Sequence, residues 1–217
     1  MTAWIDDVFG RLDTAYPTWK APVVTFMANV GADPFRILVA TIISLRTKDE
    51  VTGPASERLL AVAPTPEALA KLSEDRIGKL IYPAGFYRTK AKHLRETARI
   101  LVSTHGGQVP DEIDVLLTLP GVGRKTANLV VAEGYGKPGI CVDTHVHRIT
   151  NRWCYVKTKT PEETETALRR KLPARYWPPI NKYLVALGQT ICAPISPKCS
   201  ICPLADLCPK KGVGKSR

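Results

Sequence analysis

Residues 119–128 read Leu-Pro-Gly-Val-Gly-Arg-Lys-Thr-Ala-Asn and lie between two stretches with helical apolar spacing, 111–118 and 124–134. We expect a helix, a tight hairpin and a second helix here. Gly121 and Gly123 let the backbone turn and approach a ligand closely. The first N-H groups of the second helix have no partner inside it and suit a phosphate. An ordinary helix-helix corner can contain the same glycines, so the pattern alone leaves both interpretations open.

Charge favours the phosphate interpretation. Val122 lies between the two glycines, and Arg124 and Lys125 directly follow them. The chain of 217 residues has 31 Lys and Arg against 20 Asp and Glu, a formal net charge of +11. Phosphate neutralisation by basic side chains dominates affinity for nucleic acids. Nucleic acid is therefore the favoured partner, and the alternative is a protein that is basic without binding one.

Helix starts recur along the chain as a side-chain cap followed by proline. The pattern occurs at Asp33-Pro34, Thr65-Pro66 and Thr160-Pro161. Glu163 would complete a capping box at the third start, and Gly106-Gly107 and Gly136 are expected helix stops. Strand-like alternation bounded by hairpin signals is not convincing anywhere. The sequence thus predicts an all-α protein with many short helices.

Four cysteines form a compact loop with the spacing Cys192-x6-Cys199-x2-Cys202-x5-Cys208. Their thiolates could hold a zinc ion or an iron-sulfur cluster. Because all four come from one loop and not from two separate knuckles, the spacing favours a cluster. Disulfides are the least expected account of an intracellular chain. Two cysteines outside the pattern are expected to be buried thiols, Cys141 and Cys154.

Three motifs in this order resemble the endonuclease III family, the iron-sulfur branch of the helix-hairpin-helix DNA glycosylases. They are the hairpin, the segment Val142-Asp143-Thr144-His145 and the four-cysteine loop. The resemblance implies a two-lobed fold. Residues 33–136 would form a six-helix barrel domain with the hairpin, and residues 1–32 plus 137–217 an iron-sulfur domain. It also implies a [4Fe-4S] cluster bound by the four cysteines.

For the site, the resemblance implies that Lys125 is the amine nucleophile and Asp143 its carboxylate partner, with residues 121–124 on DNA phosphates. A lysine that attacks the sugar leaves a Schiff base, which permits β-elimination of the 3′ phosphate. The implied enzyme is a base-excision-repair DNA glycosylase and abasic-site lyase that removes oxidised or ring-saturated pyrimidines. Without the family, Lys125 could be a solvated phosphate contact and Asp143 a helix N-cap.

A nucleotide that leaves the stack creates a gap, and the resemblance implies that Arg46 and Phe86 fill it from two loops. Many family members have glutamine where this chain has Arg46, so the arginine is a departure. The alternatives are a solvated Arg46 capping the helix that begins at Pro34, and Phe86 packed with Tyr87 in a helix corner. His145 would contact phosphate, although a lone histidine more often has a structural role.

Two other functions compete with this prediction. One is a mismatch glycosylase for thymine or adenine, whose members typically lack lysine at the nucleophile position. The other is a non-enzymatic DNA-binding module, against which the presence of Lys125 and Asp143 argues.

The expected partner is double-stranded DNA with damaged bases or abasic sites. We expect a monomer in the cytoplasm, associated with the nucleoid through DNA binding. No N-terminal segment has the pattern of a signal or transit peptide. The longest apolar run, at 37–45, is shorter than the roughly 20 residues that cross a bilayer, so no membrane span is expected.

Overall fold

The computed structural model describes residues 2–29, 31 and 33–217. Regular structure in these ranges is helical throughout, and they contain no β-strand, which confirms the all-α prediction. No helix in the described ranges has the length and apolar character required to cross a membrane.

The described residues form these α-helices: α1 (Thr2–Ala15), α2 (Val23–Asn29), α3 (Pro34–Ser44), α4 (Asp49–Val62), α5 (Pro66–Lys71), α6 (Glu74–Ile81), α7 (Tyr87–His105), α8 (Ile113–Leu116), α9 (Arg124–Leu129), α10 (Thr144–Arg152), α11 (Pro161–Lys171) and α12 (Trp177–Thr190). A π-helical turn, Val130–Gly134, continues α9. Short 3-10 turns occupy Tyr16–Thr18, Ala174–Tyr176 and Cys199–Ile201.

The chain divides into two compact units, here called the hairpin unit (Val23–Gly139) and the terminal unit (Met1–Pro22 with Ile140–Arg217). The family resemblance implied boundaries at residues 33 and 136, whereas the observed hairpin unit spans Val23–Gly139. The reason at its start is that α2 packs against α3 and α4. Between residues 33 and 136 the structure has α3 to α9, which is one helix more than the predicted six if the single turn α8 is counted.

The hairpin unit is built around α3, whose side chains are mostly apolar. Ile37, Leu38, Ile42 and Ile43 are at most 1% exposed. The long helix α7 packs against α5 and α6, and its end at Gly106, with φ +58, is the predicted glycine stop. Burial of these apolar side chains is the main stabilising contribution to the unit.

The terminal unit joins the two ends of the chain in one hydrophobic core. Ile5, Val8 and Leu12 on α1 lie in the same buried cluster as residues of α10, α11 and α12. The ring of Phe9 stacks on Tyr176 with centroids 4.0 Å apart. The unit is therefore discontinuous in sequence.

The predicted proline-containing helix starts are confirmed, with Asp33, Thr65 and Thr160 as side-chain caps. At the third, the Thr160 hydroxyl accepts from the N-H of Glu163 at 3.2 Å. The Glu163 carboxylate accepts in return from the N-H of Lys159 at 2.8 Å. The predicted capping box is therefore present, except that its carboxylate accepts from the N-H of Lys159, the residue before the cap, and not from the N-H of Thr160.

Two local predictions are wrong. The helix expected over 111–118 is only the turn α8, because the N-H groups of Thr118 and Leu119 bond to carbonyls three residues back and tighten the chain into the hairpin. Cys154 is exposed, because it lies in a left-handed turn after α10, with φ +55, and not on the buried face of a helix. Cys141 is buried, as predicted.

Candidate active site and metal centre

The hairpin begins with a tight turn. The N-H of Val122 donates to the carbonyl of Leu119 at 3.1 Å, with Pro120 and Gly121 between them. Gly121 has φ +76, the left-handed conformation that this kind of turn requires at its third residue. A Cβ atom at Gly121 would also lie 2.7 Å from Nδ1 of His93 on α7. Glycine is therefore required here for conformation and for space.

Gly123 has a different role, because its φ of −98° is open to any residue. A Cβ atom at this position would meet no atom within 4 Å. The backbone is therefore accessible where α9 begins, and its N-H groups can receive an anion such as a phosphate. The Thr97 hydroxyl donates to the carbonyl of Pro120 at 3.0 Å and fixes the hairpin to α7.

Lys125 is the second residue of α9 and is half-buried. Within the described hairpin unit its amine has no hydrogen bond or ion pair. Thr126, Ala127 and Asn128, which follow it, are buried, so the backbone that carries the lysine is held firmly by the unit. The amine is thus available to a ligand and has no protein partner in its own unit.

Asp143 is the N-cap of α10 in the terminal unit, which confirms the alternative interpretation. Its Oδ1 accepts from the N-H groups of His145 and Val146, both at 2.9 Å. The other carboxylate oxygen, Oδ2, has no hydrogen bond within the described part of this unit. One oxygen therefore orients the side chain while the second remains available, so capping and a functional role are compatible.

His145 lies in the first turn of α10, and its ring packs against α12. Its Nδ1 lies 3.1 Å from a terminal nitrogen of Arg148. A guanidinium can only donate, so Nδ1 accepts and the ring proton is on Nε2. The ring packs against Gly188, where a larger residue would collide with it. A phosphate contact by His145 stays a prediction.

Arg46 and Phe86 come from separate loops, and the structure brings their side chains together. The guanidinium carbon of Arg46 lies 5.4 Å from the centre of the Phe86 ring, within the range of a cation-π contact. Both residues have left-handed backbone conformations, with φ +52 and +56. Phe86 is 63% exposed. The alternative that Phe86 packs into a helix corner is therefore wrong.

The four cysteines of the C-terminal loop line one cavity. Arg152, Trp153 and Leu187 also line it. Within the described chain, no three His, Cys, Asp or Glu side chains are arranged to hold one metal ion. A zinc site needs its ligands around a single point, whereas the cysteines of a cluster bind irons spread over a larger body. All four thiols line the same cavity, as the cysteine ligands of one cluster would.

Arg152 and the tail supply polar groups around this cavity. Arg152 is 7% exposed and places one nitrogen 3.1 Å from Sγ of Cys192. The N-H of Lys210 lies 3.4 Å from Sγ of Cys208. Burial raises the pKa of the Cys202 thiol to about 11. A cationic metal centre binds thiolates and offsets that cost, so the donor set fits an iron-sulfur cluster.

Comparison with known proteins assigns the chain to a family. Residues 39–174 match the model of the HhH-GPD superfamily base excision DNA repair proteins. Residues 192–208 match the iron-sulfur binding domain of endonuclease III. Endonuclease III of Thermotoga maritima is 50% identical over 188 residues, which cover 85% of this chain and 88% of that protein. The chain belongs to the endonuclease III family.

Solved structures agree with this assignment to the endonuclease III family. A non-covalent endonuclease III-DNA complex has a TM-score of 0.85 and 29% identity, and covers 97% of this chain and 96% of that one. A trapped endonuclease III-DNA covalent intermediate has a TM-score of 0.77 and 31% identity, with 86% and 92% covered. The predicted fold class is therefore confirmed.

As an endonuclease III family member, the chain is a DNA glycosylase and lyase of base excision repair. It binds DNA and carries a [4Fe-4S] cluster, as the sequence predicts. Sequence reasoning missed one residue of this endonuclease III scaffold, Lys90, whose buried amine bonds to Leu45 and Thr47 on either side of Arg46. One signal in the sequence could have indicated its burial: Lys90 precedes Leu94 by four residues and therefore lies on the apolar face of α7.

Proposed function

We propose that Lys125 is the nucleophile of this glycosylase and lyase and that Asp143 supplies the negative charge for its transition state. The observation that carries the proposal is a half-buried amine without a partner in its unit, directly after a hairpin open to phosphate. The open Oδ2 of Asp143 gives independent support. The covalent DNA intermediate of a 31% identical endonuclease III agrees with nucleophilic catalysis.

In the first step, the neutral amine of Lys125 forms a bond to C1′ while the bond from C1′ to the damaged base breaks. The base leaves with the electron pair and takes up a proton. Positive charge that develops on the sugar is stabilised by the carboxylate of Asp143. The nitrogen then loses a proton, and its electron pair forms the C=N bond as the bond from C1′ to O4′ breaks and O4′ takes up a proton, which leaves a protonated Schiff base.

In the second step, a proton leaves C2′, and the electron pair of that C-H bond forms a double bond as the 3′ phosphate departs. Water then hydrolyses the Schiff base and releases Lys125. The strand is nicked on the 3′ side of the lesion. No electron enters or leaves the system, so neither step requires redox chemistry of the cluster.

DNA would be held at phosphates by residues 121–124, with His145 as a further phosphate contact. Arg46 and Phe86 would fill the gap left by the flipped nucleotide. Exposure of the Phe86 ring and its contact with Arg46 support this role, because an apolar wedge backed by a cation can stack between bases and neutralise phosphate. Arg46 would also change the preference for the opposite base relative to glutamine.

The substrates would be duplexes with oxidised or ring-saturated pyrimidines or abasic sites, bound by a monomer in the cytoplasm and nucleoid. The test is a panel of duplexes carrying an abasic site, thymine glycol, dihydrouracil, uracil or mismatched thymine. We expect nicking and a borohydride-trapped adduct with the first three. Preference for mismatched thymine would indicate the mismatch enzyme, and no nick with any duplex would indicate a non-enzymatic module.

We further propose that Cys192, Cys199, Cys202 and Cys208 are the cluster ligands. Replacing Cys199 by serine is expected to remove most of the iron and the broad visible absorption of the purified protein, because serine is a poor iron ligand in this setting. Cys154→Ser is the matched control, since Cys154 is exposed and outside the cavity. Zinc without iron in the unaltered protein would contradict the assignment.

A further inference from the structure

Lys90 on α7 is a buried lysine with three acceptors. It is 5% exposed, although lysine is almost never buried without partners. Its amine donates to the carbonyls of Ile43 and Leu45, at 2.6 and 2.5 Å, and to the hydroxyl of Thr47 at 2.8 Å. All three N-H groups of the ammonium are therefore used, and every acceptor lies in one short segment.

That segment is the C-terminal end of α3, where carbonyl groups have no helical partner. A cation at this position is stabilised by the negative end of the helix dipole. Burial lowers the pKa of Lys90 to about 8, so the ammonium form predominates at neutral pH. The neutral amine would have only two N-H groups for the three acceptors.

Thr47 extends the contact to the second loop. Its hydroxyl also accepts from the N-H of Gly85 at 3.1 Å. A Cβ atom at Gly85 would lie 2.5 Å from the carbonyl oxygen of Arg46, so only glycine permits this close approach of the two backbones. Through Thr47, Lys90 therefore joins the loop that carries Arg46 to the loop that carries Phe86.

The residues next to these anchor points are strained. Arg46 lies between Leu45 and Thr47, and Phe86 follows Gly85, and both have positive φ. Residues other than glycine keep such conformations only where the surrounding structure holds them. Neither Arg46 nor Phe86 is buried, so packing of their own side chains cannot supply that constraint.

We propose that Lys90 is a positioning residue that holds Arg46 and Phe86 in the paired conformation that fills the gap in damaged DNA. The inference rests on the proposed gap-filling role of those two side chains. Lys90 itself would not contact DNA, because its amine is enclosed by α3, Thr47 and α7.

The experiment uses a duplex with an uncleavable abasic-site analogue opposite 2-aminopurine, whose fluorescence reports stacking of the unpaired base. Full-length protein is titrated into it. For Lys90→Met we expect roughly tenfold weaker binding and loss of most of the fluorescence response, since one buried and two half-buried acceptors lose their donor. Lys92→Met, an exposed lysine on the same helix, is the control and should change binding less than about twofold.

A second readout separates positioning from general damage to the protein. Lys90→Met should form the borohydride adduct with single-stranded abasic DNA at the unaltered rate, because no gap is formed there. If Lys90→Met does not fold, Thr47→Val replaces it, because this change removes the hydroxyl that joins the loops and keeps the volume. A normal fluorescence response and affinity in a folded variant of either kind would overturn the inference.

The double variant Arg46→Ala with Phe86→Ala distinguishes the two hypotheses. If it retains the response, the gap-filling proposal fails. If it loses the response while Lys90→Met retains it, only the role of Lys90 fails. If both hypotheses are correct, adding Lys90→Met to the double variant should cause little further loss of the response, because the effects of substitutions in residues that act as a unit are not additive. Additive losses would also overturn the inference.

Discussion

Lys125→Gln is expected to abolish the borohydride-trapped DNA adduct and to lower nicking of an abasic duplex by roughly 10³ to 10⁶-fold, the range seen when a nucleophile is removed. Glutamine keeps most of the side-chain length and can donate hydrogen bonds, but its amide nitrogen has no basic electron pair. Because the amine of Lys125 has no partner in its own unit, its replacement leaves no buried group unpaired there. Stability should therefore change little.

The matched control is Lys71→Gln, which removes the same charge from an exposed position at the end of α5. Nicking and adduct formation are measured for both variants in single-turnover conditions, with thermal unfolding as the check on folding. Binding to an uncleavable abasic duplex should weaken only modestly in both. An adduct of normal yield with Lys125→Gln would show that another amine is the nucleophile.

Asp143→Asn is expected to slow base excision by roughly 10² to 10³-fold, as for other losses of electrostatic stabilisation in a transition state. The substitution separates the two roles of this residue. Asparagine is as good an N-cap as aspartate, so its amide oxygen can keep both bonds to the start of α10. Only the negative charge is lost.

Asp33→Asn is the control, because Asp33 caps α3 through the N-H of Arg36 at 2.9 Å and the change is chemically identical. Both variants should unfold within a few degrees of the unaltered protein, and only Asp143→Asn should lose activity. If Asp143→Asn excises bases at the normal rate, Asp143 is a structural cap and the negative charge comes from another group.

Much of the candidate site was predictable because it depends on short-range rules. The turn at 119–122 needs proline and then glycine, and the sequence has both in order. The caps at Asp33, Thr65 and Thr160 lie beside prolines that fit a first helical turn. The spacing of four cysteines in one loop indicated a cluster without any knowledge of the fold.

Other features were not predictable because residue type specifies neither the local backbone conformation nor the contacts between distant segments. Cys154 was expected to be buried by its residue type, yet a left-handed turn exposes it. Phe86 is a residue type that usually packs in cores, yet its ring is exposed at a position with left-handed backbone conformation. Lys90 appears in sequence as one lysine among many, and its meaning comes from carbonyls more than forty residues away.

The sequence by itself determined the all-α class, the hairpin and the cysteine loop, because each depends on residues close to one another along the chain. Tertiary structure alone decided that one oxygen of Asp143 stays open, that Arg46 meets Phe86, and that a buried ammonium joins their loops. The physical reason is that burial and hydrogen-bond partners are set by folding of the whole unit, and one-dimensional spacing does not specify them.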